Sequence, residues 1–391
     1  MPSAPSTDGA ARDILARLVA FDTRSSASNL DLVDYVRGYL RAHGVEPVLV
    51  PNEDGDKASL FATIGPADRG GIALSGHTDV VPADPKDWTS DPFVLTARDG
   101  RLYGRGSCDM KGFLAAVLAA VPAFKAEKLA VPIHLVFSYD EEIGCAGVLP
   151  TIARMGVDLP KPELCIVGEP TSMQVVDAHK GIAGFVTTVR GKNAHSSLPH
   201  LGANAIIGAA EIIGELERIA EELRAAGDPS GRFDPAFTSL GVGLIQGGQA
   251  ANVVPRDCRF FWEFRPLPGF SLPAAMARLE GFAETVVLPK LRAGAPEEAA
   301  VVFEPRSQVP ALHPEPGSIA ETLAKKLARQ NSTFAVSYGT EAGQFQRAGI
   351  PTVVCGPGSI EQAHAPDEFL AESQLAEAEA LLGRLLEHCR G

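Results

Sequence analysis

Two histidines and a set of carboxylates occupy comparable places along the chain. His77 and Asp79 follow an apolar run at 72–75, Glu141 and Glu142 follow one at 133–138, and Glu169 follows one at 164–167. His364 lies a short loop beyond the run 351–355, and Asp109 precedes a helical pattern that begins near Lys111. Each signal alone has an ordinary reading: a hydrogen-bonded core histidine, a common His-x-Asp pair, a solvated Glu-Glu face, a helix N-cap. Their shared placement is the informative feature. In an open parallel sheet, ligands gather at the carboxyl ends of the strands. Four of the clusters follow runs that read as such strands, and the fifth reaches the same edge from a helix N-terminus. Two imidazoles and several carboxylates, with no thiolate, form a ligand set for Zn²⁺, Co²⁺ or Mn²⁺. Charge balance favours a pair of ions. Two divalent cations are neutralised by three carboxylates and one bridging hydroxide, which leaves one of Glu141 and Glu142 free as a base. Ions ~3.5–4 Å apart can activate water and polarise a carbonyl together.

The elements needed to position these groups are legible as patterns. Residues 10–21, 29–43 and 111–124 read as helices, and 45–50, 59–64, 72–75, 133–138 and 164–167 as strands. Alternating strands and helices, with strands that are apolar on both faces, predict an α/β fold. Its core is a mostly parallel central sheet with helices on both faces. After Gly181 the texture changes. Strands at 185–190, 239–245 and 258–265 and helices at 204–224 and 272–287 predict an inserted α+β layer with one open sheet face. The α/β texture returns with a helix at 319–330, a run at 351–355 and a closing helix at 371–388. The expected partition is therefore 1–181 as the first part of a catalytic metal-binding domain, 182–305 as an inserted α+β domain whose open face invites another subunit or the neighbouring domain, and 306–391 as the second part. The Pro- and acid-rich stretch 294–316 reads as a return connection.

Composition narrows the class. The 391 residues suffice for two or three domains with a sizeable core. A net charge of −13 argues against nucleic acid or an anionic membrane as partner. The six cysteines form no C-x-x-C pair, which suggests indifferent thiols in a reducing compartment. Residues 1–13 are small and polar, without the order of a signal peptide, and the longest apolar run ends at Pro122. A soluble, cytoplasmic protein is the expectation. A dinucleotide site is rejected: Gly104-Arg105-Gly106 lacks a third glycine and leads to Asp109, which would repel a pyrophosphate.

Several segments resemble, in order, the M20 family of dinuclear metallo-amidohydrolases. They are Ser75-Gly76-His77-Thr78-Asp79, Gly104-Arg105-Gly106 through Asp109-Met110-Lys111-Gly112, Asp140-Glu141-Glu142, Val167-Gly168-Glu169-Pro170-Thr171, Gly191-Lys192-Asn193-Ala194-His195-Ser196, Asn252-Val253-Val254-Pro255 and His364-Ala365-Pro366-Asp367-Glu368. Within the family, His179-Lys180-Gly181, Phe264-Arg265-Pro266, Gly339-Thr340-Glu341-Ala342 and Gly356-Pro357-Gly358-Ser359 are similar to the acetylornithine deacetylase branch. Related desuccinylases usually carry Ser-Asp where this chain has Glu341-Ala342.

The resemblance implies roles. His77 and Glu169 would hold one metal, Glu142 and His364 the other, and Asp109 would bridge them. Two Zn²⁺ ions, with Co²⁺ as the alternative, are the implied cofactors. Glu141 would act as general base and then acid, and Asp79 would fix the His77 tautomer from behind. The family also implies a cis peptide at Asp109-Met110. The inserted domain 182–305 would be a lid and dimerisation domain, hinged near Gly181 and Pro305, from which His195 would donate to the oxyanion across a homodimer and Asn252 would contact an N-acyl amino acid substrate of the other subunit. Arg265 and Lys180 are the candidates for its α-carboxylate, with a structural ion pair as the competing reading for each. Thr340 and Gly358 would line the same pocket, and Glu341 would neutralise a cationic substrate side chain. Cys108 reads as a small buried filler, and Trp88 as either rim or core. Other N-acyl amino acid amidohydrolases, such as succinyl-diaminopimelate desuccinylase or aminoacylase, are the alternative within this class.

Overall fold

Near-continuous apolar runs demand a sheet covered on both faces, and the computed structural model builds one. It describes residues 9–390, so most of the segment read for a leader lies outside the described residues. The sheet has eight strands in the order Val48–Pro51, Ala58–Ile64, Ile133–Ser138, Ile72–His77, Leu164–Pro170, Thr352–Gly356, Val176–His179, Phe334–Val336. The four central strands are parallel. The flanking strand Ala58–Ile64 is antiparallel to Ile133–Ser138, so the sheet is mixed at its margins. Every residue of Ile72–His77 and Ile133–Ser138 is buried, as two-sided cover requires. Helix Gly112–Ala126 is apolar all round and packs within the core cluster with helices Ala10–Val19 and Glu372–Arg390.

The chain divides into two compact units. The first comprises residues up to Ala178, Pro314–Phe334 and the residues from Thr340 onward; the second comprises His179–His313 and Ala335–Gly339. The second unit is a four-stranded antiparallel sheet in the order Ser239–Gly247, Asp257–Arg265, Ile182–Arg190, Ala300–Val309. Its core face alternates cleanly. Cys258, Phe260, Trp262 and Phe264 are buried with Ile212 and Leu216 of helix Ala205–Ala226, while Arg259 and Phe261 point to the other face. Asn204 caps that helix, its Oδ1 accepting from the Ile206 and Ile207 N–H groups.

One expectation is corrected here. The stretch 294–316 is not a plain connection, because Ala300–Val309 pairs with Ile182–Arg190 along its whole length. Pro305 therefore lies inside a strand, beside a register shift between Pro305 and Ser307. An edge strand with a bulge tolerates both proline and acidic residues, which is why its composition mimicked a loop.

Strand Ile133–Ser138 also buries a histidine. His134 shares a hydrogen bond between Nδ1 and Thr63 Oγ1 (3.0 Å) and stacks on Phe61, while its Nε2 has no partner. Burial depresses its pKa to about 4 from an ordinary 6.5. The unfolded chain therefore binds the extra proton first as pH falls. The stabilisation is whole above pH 6.5 and is lost as pH drops towards 4, by roughly 3 kcal/mol. Urea melts across this window should show a flatter acid limb for His134→Leu than for the wild type. Parallel limbs would refute the assignment.

Candidate metal centre

The four parallel strands end at one edge, and the side chains beyond their ends meet there. His77 is the last residue of its strand, Glu169 is near the end of Leu164–Pro170, and Glu141 and Glu142 follow Ser138. Asp109 belongs to the turn Ser107–Lys111 ahead of helix Gly112–Ala126, next to a cis Asp109-Met110 peptide. Gly168 has no room for a side chain, since a Cβ there would lie 2.1 Å from the Phe113 ring. That contact lets the helix start approach the strand that carries Glu169.

Asp109 divides its carboxylate between two imidazoles. Oδ1 is 3.0 Å from His77 Nε2, and Oδ2 is 3.3 Å from His364 Nε2. Glu169 Oε1 is 3.5 Å from His77 Nε2, and Glu142 Oε2 is 3.0 Å from His364 Nε2. Ligand atoms of His77, Glu141 and Glu169 lie within 4.8 Å of one another, as do those of His77, Asp109 and Glu142. His364 is half exposed and marks the solvent side, whereas His77, Asp109 and Glu169 are buried.

Electrostatics shows what this cluster lacks. Burial alone would depress His77, but Glu169, Asp109 and Asp79 outweigh it and hold the imidazole well above its ordinary value. Hydrogen bonds to Asp109 and Glu142 lift His364 to about 10. Burial and the Asp109 charge push Glu169 up to about 8, and burial with the Glu169 charge pushes Glu141 well up. Protons thus collect where positive charge is missing. Among the described residues, Glu142 Oε1 has no hydrogen-bond donor, and Glu169 Oε1 has only the 3.5 Å contact to His77. Orphaned carboxylate oxygens beside two imidazole nitrogens fit divalent cations, which would displace those protons.

The surrounding residues explain how the cluster is held. His77 Nδ1 faces the Asp79 backbone carbonyl at 2.8 Å, while the Asp79 carboxylate is 3.5 Å away. The carbonyl, more than the carboxylate, therefore fixes the tautomer. The Asp79 carboxylate instead accepts from Ser25 Oγ (2.7 Å) and from the backbone N–H groups of Glu141 (3.1 Å) and Glu142 (3.3 Å). It orients the loop that presents both glutamates.

Glu368, which closes the segment beginning at His364, organises the Asp109 turn. Its Oε2 accepts from Arg105 Nη1 (2.7 Å) and the Gly106 N–H (3.0 Å), and its Oε1 from the N–H groups of Cys108 (2.8 Å) and Asp109 (3.0 Å). Arg105 is in turn capped by the Trp88 ring, so Trp88 packs against the site's support. Cys108 donates to the Ser359 carbonyl, and burial raises its thiol pKa, as expected of a filler.

Four expected substrate contacts are buried. Glu341 is fully buried; its Oε1 accepts from Ser75 Oγ (2.5 Å) and its Oε2 from Ser138 Oγ (2.7 Å). It ties together the strands leading to His77 and Glu141 and offers no face to a substrate cation. Lys180 is also buried, with Nζ donating to the carbonyls of Pro235 (2.7 Å) and Phe237 (2.8 Å). Thr340 Oγ1 accepts the Ala342 N–H (3.0 Å) and caps helix Ala342–Arg347. Gly358 is buried at φ +87, where a Cβ would meet Cys108 Sγ at 2.4 Å, so its place is set by packing.

In the second unit His195 and Asn252 are neighbours: both are exposed, and the Ser196 N–H donates to the Asn252 carbonyl (3.0 Å). His195 Nδ1 contacts Ser197 Oγ at 2.6 Å. Arg265, about a third exposed, is paired with Glu263 at 2.9 Å.

The chain is similar to known proteins along nearly its whole length. The peptidase family M20/M25/M40 profile matches residues 73–388. Acetylornithine deacetylase of Myxococcus xanthus is 37% identical over 387 residues, covering 98% of each chain. The enzyme of that name from Proteus mirabilis is 36% identical, covering 94% of this chain and 92% of its own. Among solved structures, aminopeptidase PepT from Bacillus cereus matches with a TM-score of 0.74 at 19% identity, covering 99% of both chains. An M20 family metallo-carboxypeptidase from Sulfolobus solfataricus matches at 0.74 and 20% identity, covering 96% of this chain and 98% of that one. With that match across its length and a cluster of metal-ligating side chains at the sheet edge, the chain belongs to peptidase family M20/M25/M40.

Proposed function

We propose that the chain hydrolyses the amide bond of N²-acetyl-L-ornithine to L-ornithine and acetate, a step that frees ornithine for arginine biosynthesis in the cytoplasm. The observation that carries the chemistry is the single carboxylate of Asp109 shared between His77 and His364, with Glu141 beside it. The substrate is inferred from the full-length likeness to acetylornithine deacetylases. In this reading His77 and Glu169 hold one divalent ion, Glu142 and His364 the other, and Asp109 stands between them; Zn²⁺ is the expected metal and Co²⁺ the alternative. Bound there, the ions would polarise the amide carbonyl and make water more acidic. Glu141 takes the proton of the attacking water and returns it to the leaving amine. Its place beside His77 and Glu169 suits a group that must do both. Asp79 keeps Glu141 and Glu142 aimed by holding their backbone.

His195 and Asn252 would act on the site of a paired copy, His195 donating to the developing oxyanion. Support for the pairing comes from the second unit's exposed strand Ser239–Gly247, where Leu244 and Ile245 are largely bare. Arg265 is the group retained for the substrate α-carboxylate.

The test is hydrolysis by metal-stripped protein with and without Zn²⁺ or Co²⁺, on N-acetyl-L-ornithine, N-succinyl-L,L-diaminopimelate and N-acetyl-L-methionine, with the active species sized by light scattering. Metal-dependent turnover favouring acetylornithine by a dimer is expected. Preference for another substrate would overturn the specificity, metal-independent turnover the chemistry, and a fully active monomer the role of His195.

A further inference from the structure

Four residues beyond Glu141, the chain folds back onto its carboxylate. The Glu141 carbonyl accepts from the N–H groups of Gly144 (3.0 Å) and Cys145 (2.9 Å), and the resulting turn brings Cys145 Sγ to 3.1 Å from Glu141 Oε1. We infer that the Cys145 thiol is a positioning residue for the reaction, donating its hydrogen to one oxygen of Glu141 and so leaving the other for proton transfer. The inference rests on the reading of Glu141 as the general base.

Three observations support it. Cys145 is buried, 2% exposed, so water does not compete for Glu141 Oε1 on that side. It holds φ +53, in the left-handed region, where glycine or asparagine would be less strained. A side chain kept in a strained backbone position points to a use for that side chain. Burial keeps the thiol protonated, so towards a carboxylate it acts as donor. Among the described residues no other hydrogen bond to the Glu141 carboxylate is seen: Asp79 holds its backbone N–H, not its carboxylate. The competing reading is a small buried filler, a part that alanine would play equally well.

Cys145→Ala and Cys145→Ser, loaded with the same metal as the wild type, separate the two. Alanine is expected to lower kcat about fivefold to tenfold with KM and bound metal unchanged, and serine, which keeps a donor, to restore kcat to within about twofold. A second readout needs no substrate. The S–H stretching band of Cys145, isolated as the infrared difference between wild type and Cys145→Ala, is expected at the lowered frequency of a thiol bonded to a carboxylate. It should move to the free-thiol position in Glu141→Ala. If the alanine variant does not fold, the difference against Cys145→Ser isolates the same band. An alanine variant as fast as the wild type, a serine variant no better than alanine, or a band indifferent to Glu141→Ala overturns the proposal. Because the band is read without turnover, it decides the contact even if the chain acts on a different amide.

Discussion

Glu141→Gln is expected to abolish most turnover while leaving the metal in place. The amide is nearly the size of the carboxylate and can still accept a hydrogen bond from Cys145, so the turn Glu141–Cys145 has no reason to unfold. What disappears is the ability to take a proton from water and hand it on. General acid–base catalysis contributes about 10²–10⁴-fold, so kcat should fall by that factor at unchanged KM. Metal content, read by elemental analysis, should match the wild type, because Glu142, Asp109, Glu169 and the two histidines remain. A variant that loses metal together with activity would make Glu141 a ligand, and the close grouping of its carboxylate with His77 and Glu169 makes that the outcome to watch. A variant with near wild-type kcat would remove Glu141 from the chemistry.

Glu368→Gln is the second change with a large expected effect, although residue 368 is not among the proposed ligands. Each oxygen of Glu368 receives two donors: Arg105 and Gly106 on one side, Cys108 and Asp109 on the other. A glutamine head has one oxygen and one NH₂. Whichever way it turns, two N–H donors face its own N–H groups, and Arg105 loses its buried counter-charge. Breaking one partner of a buried ion pair costs ~3–5 kcal/mol. The metal-free protein should melt several degrees lower. The turn that presents Asp109 should also loosen and weaken metal binding by roughly 10–100-fold, as loss of a ligand's support does elsewhere. Chelator competition measures the second effect separately from the melt. If both stay at wild-type values, the four hydrogen bonds have no part in holding Asp109.

The division between what was legible and what was not follows the range of the interactions. The strands 72–77, 133–138 and 352–356 announce themselves because a strand buried on both faces must be apolar throughout, a purely local demand. The ligand candidates are legible for a similar reason, since imidazoles and carboxylates suit a divalent centre and several of them stand at strand ends. Strand Ala300–Val309 was missed because an edge strand with one open face carries no such demand, so Glu304 and Pro305 could imitate a loop.

The cationic and acidic side chains that were misjudged share a different cause. Lys180 and Glu341 stand in motif positions suited to substrate binding, but the meaning of a charge depends on what neutralises it. Glu341 meets Ser75 and Ser138 from across the chain, and Lys180 meets the carbonyls of Pro235 and Phe237. The Arg105–Glu368 pair joins residues 263 positions apart. No spacing rule connects such partners. Residue type and strand-end placement, local properties written in the chain, determined by themselves that a buried, ligand-rich edge would form. Which carboxylates face that edge and which only brace it was decided by folding alone, because a buried charge needs a partner and only the tertiary structure says which partner is within reach.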